Sequence, residues 1–305
     1  MGVEQDEVTY FRLTYQITFV DLYRSSQVKM PNLDVANATL YYETLGTGPL
    51  LLCISGANGS CDIWKPLSMQ LRKHFTICSY DRRGFSRSTL TGAQDYDHRL
   101  QTDADDAAAL IQHLSGDDEP ATVLGNSSGA VVGLELLIRH PETVRNLLCH
   151  EPPLASLLED CESIRTEHRE IYNLYRKQGI APAALRFAES IKAGPETQGL
   201  LRSMDPKAGP YNFANSMYWF ERELGIYAVA TLDMEALRRE SRKLILINGE
   251  DSDPEALQYR PNVKMAGMFG GEVQIVPGGH VGFALKARAF AEGIYALLRE
   301  VDSSY

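Results

Sequence analysis

Long apolar runs are missing from this chain. Its most hydrophobic stretches, 49–54 and 244–247, are far shorter than a bilayer requires, and residues 1–30 hold no continuous apolar segment of the signal-peptide kind. The expectation is a cytoplasmic protein with no membrane contact. Basic clusters are missing too: 30 Lys plus Arg stand against 40 Asp plus Glu, a formal charge of −10. Nothing here neutralises a phosphate backbone, so nucleic acid is not an expected partner. The five cysteines (Cys53, Cys61, Cys78, Cys149, Cys161) are odd in number and show no CxxC or Cys/His ligand spacing. They read as reduced and buried, and no metal is expected. No GxGxxG follows the first strand, which excludes a nicotinamide cofactor; the expectation is no cofactor at all. Met1-Gly2 is not a myristoylation start, because Asp6 stands where Ser or Thr is needed.

What is present is ordinary globular composition, with 44% apolar and 23% charged residues in 305, enough for one large core with an insertion. Residues 1–33 read as an N-terminal arm without clear period, or as an upstream extension of a frame that begins at Met30. From Asp34 the rhythm is regular. Strands at 38–43, 50–54, 75–80, 121–124 and 144–149 alternate with helices at 63–73, 100–114 and 128–139. Strand, helix and strand in alternation mean a parallel sheet with crossover helices. After residue 151 the alternation stops, and 152–241 reads as a helical cap with Ile164, Ile171, Leu174 and Tyr175 on one face. It resumes with strands at 243–248 and 272–276 and helices at 255–268 and 285–299. The core is therefore 34–151 plus 242–305.

Gly125-Asn126-Ser127-Ser128-Gly129 follows an apolar strand and opens a helix, the setting in which GxSxG forms a nucleophile elbow. A sharp turn there lifts a serine hydroxyl above the sheet at the positive end of a helix, where an oxyanion is favoured. Ser127 is the expected nucleophile. The oxyanion hole is expected to combine the backbone amides of Ser128 and Ala57, the latter in Ser55-Gly56-Ala57-Asn58-Gly59 after an early strand. The segment Asp81-Arg82-Arg83-Gly84 and its continuation to Ser88 read as structural. His280, in the glycine-rich loop after the last strand, is the expected base, and the order Ser before His is that of the α/β-hydrolases. His150 is its only rival, since His74, His98, His113, His140 and His168 read as solvated. The acid departs from the common pattern. In Gly249-Glu250-Asp251-Ser252 a serine stands where Gly-x-x-Asp would place the carboxylate, with Asp251 and Asp253 out of register on either side. A carboxylate at Glu151, two residues past Cys149, can reach His280 from another strand end, and Asp251 and Asp253 stay as the alternative acids if the loop slips by one residue.

These motifs, Gly-x-Ser-Ser-Gly, Cys-His-Glu-x-Pro and Pro-Gly-x-His, resemble those of the fungal zearalenone hydrolases, lactonases of the α/β-hydrolase fold, over about residues 36–300. The resemblance implies a mostly parallel sheet flanked by helices, with a helical cap after strand 6. It implies a Ser-Glu-His triad, which assigns the acid to Glu151, and a cap Trp on the substrate, which corresponds to Trp219. The N-terminal arm has no counterpart. The expected activity is cofactor-free hydrolysis of a small apolar ester or lactone through an acyl-enzyme. Tyr218 and Phe213 join Trp219 as expected pocket aromatics, although cap aromatics also pack the cap itself. The sequence leaves open a homodimer, a C–C hydrolase of β-diketones with the same triad, and a non-enzymatic small-molecule binder. An epoxide hydrolase needs Asp where Ser127 stands.

Overall fold

The computed structural model describes residues 31–115 and 119–302. Residues 1–30, where the arm is expected, lie outside the described residues. The sheet begins at Asn32, inside the stretch read as arm, and its strands are β1 (Asn32–Val35), β2 (Ala38–Gly46), β3 (Leu50–Ile54), β4 (Thr76–Tyr80), β5 (Thr89–Leu90), β6 (Ala121–Asn126), β7 (Val144–His150), β8 (Leu244–Gly249) and β9 (Val273–Val276). They lie in the order β1-β2-β4-β3-β6-β7-β8-β9, with β5 paired to β2. Pairs involving β2 are antiparallel, and every pair from β4 through β3 to β9 is parallel. With the short β1 and β5 counted, seven strands precede the cap, five of them those read from the sequence. Both are brief antiparallel additions with exposed or half-exposed residues, so neither leaves an apolar run to read.

β3 is apolar at every position, and β6, β7 and β8 are buried along nearly their whole length, because both of their faces are covered. Along β3, Leu52 and Ile54 face one layer with Val131 and Leu134, while Leu51 and Cys53 face the other with Trp64, Leu67, Phe290 and Ile294. The first layer is built by α1 (Arg99–Leu114) and α2 (Ser128–Arg139), the second by α3 (Lys65–Leu71) and α4 (Ala287–Val301). The helix expected at 285–299 is two: Gly282–Leu285 and α4, separated at Lys286. The one expected at 255–268 begins only at Arg260, where Pro261 occupies the first turn.

Between β7 and β8 stand the helices α5 (Cys161–Gln178), α6 (Ile180–Ser190), α7 (Thr197–Met204), α8 (Asn212–Arg222) and α9 (Met234–Arg239). They share a small core of Ile171, Tyr175, Ala183, Phe187, Trp219 and Phe220, with the Tyr175 and Phe220 rings stacked at 4.7 Å. Four cysteines are buried, Cys161 is half-buried, and all five are free.

Candidate active site

Parallel strands all present their carboxyl ends to one edge of the sheet, and the chemistry-bearing residues leave from adjacent ends. Ser127 follows β6, Glu151 follows β7, Ser252 lies past β8 and His280 lies past β9. Ser127 has φ 56° and ψ −129°, a strained backbone for a residue with a Cβ. Its surroundings enforce that turn: the Ser127 amide donates to the His150 carbonyl (3.0 Å), and the Ser127 carbonyl accepts from Ala130 (2.8 Å). The glycines are required by crowding. A Cβ on Gly125 would lie 2.5 Å from the Gly129 carbonyl, and one on Gly129 would strike the carbonyl of Ile54. Any side chain at either position would push strand and helix apart.

Glu151 is fully buried and also has positive φ, 50°. Because β7 and β8 pair in register, His150 opposite Ile247, the residue after β7 falls beside the end of β8. There the Gly249 amide donates to Glu151 Oε1 (2.9 Å), and His280 Nδ1 meets Glu151 Oε2 at 2.7 Å. Burial alone would raise the Glu151 carboxyl. The hydrogen bond from His280 and the positive potential of His150 and His280 outweigh burial and hold it down at about 2. The Ser252 hydroxyl, at the usual acid position, makes no well-formed hydrogen bond and adds a smaller pull in the same direction. An ionised carboxylate only accepts, so in the neutral ring Nδ1 carries the proton and Nε2 keeps its lone pair.

The loop holding His280 is tied down by Asn126, whose Nδ2 donates to the His280 carbonyl (2.9 Å). His150 lies 6.3 Å from His280, ring to ring, but burial drives it down to about 4, so at neutral pH it is uncharged. Asp251 and Asp253 point elsewhere, to Lys286 (2.7 Å) and Lys192 (3.3 Å) on the surface.

Ser127, His280, Ala57 and Ser128 line one cavity of about 300 Å³. Among the described residues, no protein acceptor takes the backbone hydrogen of Ala57 or Ser128. Trp219, Tyr227, Phe187, Ile191 and Leu224 make its apolar wall. Tyr218 and Phe213 do not reach it: the Tyr218 hydroxyl accepts from Arg99 (2.6 Å) and Phe213 is 54% exposed. Helical phase explains Tyr218: Ser216, Trp219, Phe220 and Glu223 form the buried stripe at i, i+3, i+4 and i+7, and Tyr218 lies on the opposite side. Phe213 is close to that stripe in phase but sits in the first turn of the helix, where it is exposed. His168, expected in solvent, is buried on the same face as Ile164, Ile171 and Tyr175 and lines the cavity. Sequence reasoning also passed over Glu196, a cap carboxylate that accepts from the Val281 amide beside His280 (3.2 Å to each oxygen). Burial raises its carboxyl above the ordinary value, against the attraction of His280.

Away from the cavity, Glu43, Cys61 and Asp62 bring three possible ligand atoms within 4.8 Å of one another. That place already holds cations, with Lys65 at 2.6 Å from Asp62 and Arg87 at 3.1 Å from the Cys61 sulfur. No helix among the described residues is long and apolar enough to cross a membrane.

Comparison with known proteins agrees with this architecture. The family model for the alpha/beta hydrolase fold matches residues 49–286. The chain belongs to the α/β-hydrolases. Uncharacterized hydrolase YraK of Bacillus subtilis is 31% identical over 271 residues, which are 88% of this chain and 95% of that protein. The zearalenone hydrolase of Bionectria ochroleuca is 32% identical over 130 residues, 42% of this chain and 47% of its own. Among solved structures, a thermophilic esterase from Thermogutta terrifontis superposes with TM-score 0.66 at 20% identity, covering 90% of this chain and 99% of its own. It is thus a hydrolase of the α/β-hydrolase superfamily.

Proposed function

We propose that this protein is a cofactor-independent serine hydrolase that cleaves a carboxylic ester or lactone through an acyl-enzyme. The observation that carries the reading is a strained Ser127 sharing one cavity with His280, whose Nδ1 is held by the buried, ionised Glu151. In this reading Ser127 Oγ attacks the carbonyl carbon and His280 Nε2 takes its proton, which then goes to the leaving oxygen as the C–O bond breaks. Water repeats the cycle on the acyl-enzyme, and Ser127 recovers its proton from His280. Glu151 fixes the imidazole tautomer and balances the imidazolium. The amides of Ala57 and Ser128 receive the carbonyl oxygen as it becomes an anion.

A cavity of about 300 Å³ with a mostly apolar wall suits a substrate of moderate size. A lactone gives a single hydroxy-acid product, and an open ester gives two products. The test is a panel of lactones and esters with products weighed by mass spectrometry, together with a fluorophosphonate probe. The reading expects cleavage with gain of one water and labelling on Ser127. It also expects a fall in kcat of at least about 10³ in Ser127→Ala. More than a tenth of wild-type turnover in that variant would overturn it.

A further inference from the structure

Behind the cavity wall lies a buried cluster of four charges that the proposed mechanism does not use. Arg82 is completely buried. Its Nη1 donates to Asp103 and to Glu223 Oε1 (2.9 Å each), and its Nη2 donates to Glu223 Oε2 (2.7 Å). Arg99 adds a second cation, with Nη2 at 2.9 Å from Glu223 Oε1, and the Tyr227 hydroxyl donates to Asp103 (2.7 Å). Two cations thus meet two anions, which is what lets such charges persist without water. Asp103 and the arginines come from the sheet domain. Glu223 comes from the end of α8 in the cap and lines the cavity.

One bond from this cluster reaches the loop after β3. Arg82 Nη2 also donates to the carbonyl of Gly56 (2.9 Å). That carbonyl shares its peptide plane with the Ala57 amide, the first of the two donors in the proposed oxyanion hole. The peptide is trans, so its C=O and N–H point in opposite directions, and whatever fixes one fixes the other. The Gly56 carbonyl accepts a second bond from Gly59 (3.1 Å), which closes the turn, but only Arg82 brings a full charge to it. A guanidinium on the carbonyl oxygen also polarises the peptide and makes its N–H a stronger donor. Gly56 leaves no slack: a Cβ there would lie 2.7 Å from Ser127 Cβ.

We infer that Arg82, gripped by Glu223 of the cap, is a positioning residue that aims and polarises the Gly56–Ala57 peptide, so that cap docking completes the oxyanion hole. The inference rests on the serine-hydrolase reading above. It predicts that the cap contributes to kcat as well as to substrate binding, although no cap side chain supplies the oxyanion donor.

The experiment uses the full-length protein with Arg82→Met, Arg82→Lys and Glu223→Gln, each checked by circular dichroism and melting temperature. Four quantities are read: kcat and KM for a p-nitrophenyl ester, inhibition by a boronic acid that forms a tetrahedral adduct on the serine, and inhibition by an unreactive amide analogue of the ester. The expected result for Arg82→Met is a fall in kcat of about 10²-fold with little change in KM. Boronate affinity should weaken by a similar factor while amide affinity stays. Arg82→Lys should recover only part of the loss, since an ammonium cannot fork to Glu223 and Gly56 together. If Arg82→Met does not fold, Glu223→Gln carries the test, with the same split between boronate and amide and a loss of about tenfold. Full turnover in folded Arg82→Met, or in Glu223→Gln where that variant carries the test, would overturn the inference. So would equal weakening of boronate and amide, which marks a damaged pocket. A wild type that is not labelled at Ser127 by the fluorophosphonate would instead overturn the reading beneath it.

Discussion

The sheet domain and the cap are held by different forces. Within the sheet domain, Leu51 to Ile54 and their neighbours bury apolar side chains in both layers, so its stability is mostly removal of hydrocarbon from water. The cap carries a modest core; Tyr227, Leu232 and Leu237 join it to the sheet core and Phe85 packs into it from the sheet domain, but its orientation is set by polar groups. Asn215 exchanges two hydrogen bonds with Ser86 (2.8 and 2.9 Å), Glu223 grips Arg82 and Arg99, Glu196 accepts from Val281, and the Asn58 amide donates to the Ser203 carbonyl (2.9 Å). Burial of hydrocarbon is non-directional, whereas hydrogen bonds fix angles. One region therefore makes the molecule stable, and the other sets how the cavity is shaped.

Four measurements would break or sharpen this contrast. The largest effect is expected in the sheet domain. Phe75 is completely buried and meets Tyr295 edge-on at 6.1 Å, so Phe75→Ala should lose about 3–5 kcal/mol by denaturant titration while the folded fraction keeps its kcat. A loss under about 1 kcal/mol would mean that this layer is not the source of stability.

Next is the acid side of the stability profile. Unfolded His150 takes up a proton below about 6.5, whereas the folded, buried ring stays neutral down to about 4. Protons in that window favour the unfolded chain, and stability falls by up to about 3 kcal/mol as pH drops from 6.5 to 4. Glu151 acts in the same sense lower down: the unfolded carboxyl protonates near 4.5 and the folded one only near 2, so its contribution is lost as pH falls through that range. Urea midpoints measured from pH 7 to 4 should decline steadily, and His150→Gln should flatten the decline above pH 4. A flat wild-type profile would refute the burial of a neutral His150.

A smaller effect belongs to cap docking. Asn215→Ala removes both bonds to Ser86 and almost no hydrocarbon, so it should cost about 1–2 kcal/mol and raise KM more than it lowers melting temperature. A change in melting temperature with KM untouched would place Asn215 in the same class as Phe75. The smallest is Trp219→Ala in the cavity wall. It should cut kcat/KM about tenfold for a bulky lactone and hardly at all for p-nitrophenyl acetate. Equal effects on both, together with lost stability, would make Trp219 part of the cap core only.

The same contrast governs what could be read from the sequence. Strands buried on both faces write themselves as apolar runs, so Leu50–Ile54, Ala121–Asn126 and Val144–His150 were legible, and with them the elbow at Ser127 and the loop of His280. The two-residue β5 and the break at Lys286 carry no such pattern. In the cap, aromatic content nominated Tyr218 and Phe213, while the period of α8 excludes Tyr218 and selects Trp219 and Glu223, and Phe213 is lost to exposure in the first turn. The Arg82–Glu223 pair is 141 residues apart in the chain, and two charged residues at that distance look like surface until the fold closes them off from water. Asn126 was hidden inside the elbow motif itself, since GxSxG leaves its position unspecified.

The central claim is that the carboxylate orienting His280 comes from the end of β7 rather than from the loop after β8. The measurement is kcat on one ester for Glu151→Gln, Asp251→Asn and Asp253→Asn, with folding of each checked by circular dichroism. Glu151→Gln leaves the side-chain shape but frees the imidazole tautomer and removes the counter-charge, so kcat should fall by up to about 10⁴. Asp251→Asn and Asp253→Asn, which give up only surface pairs with Lys286 and Lys192, should turn over at nearly the wild-type rate. Near-normal turnover in Glu151→Gln, with collapse in either asparagine variant, would contradict the account.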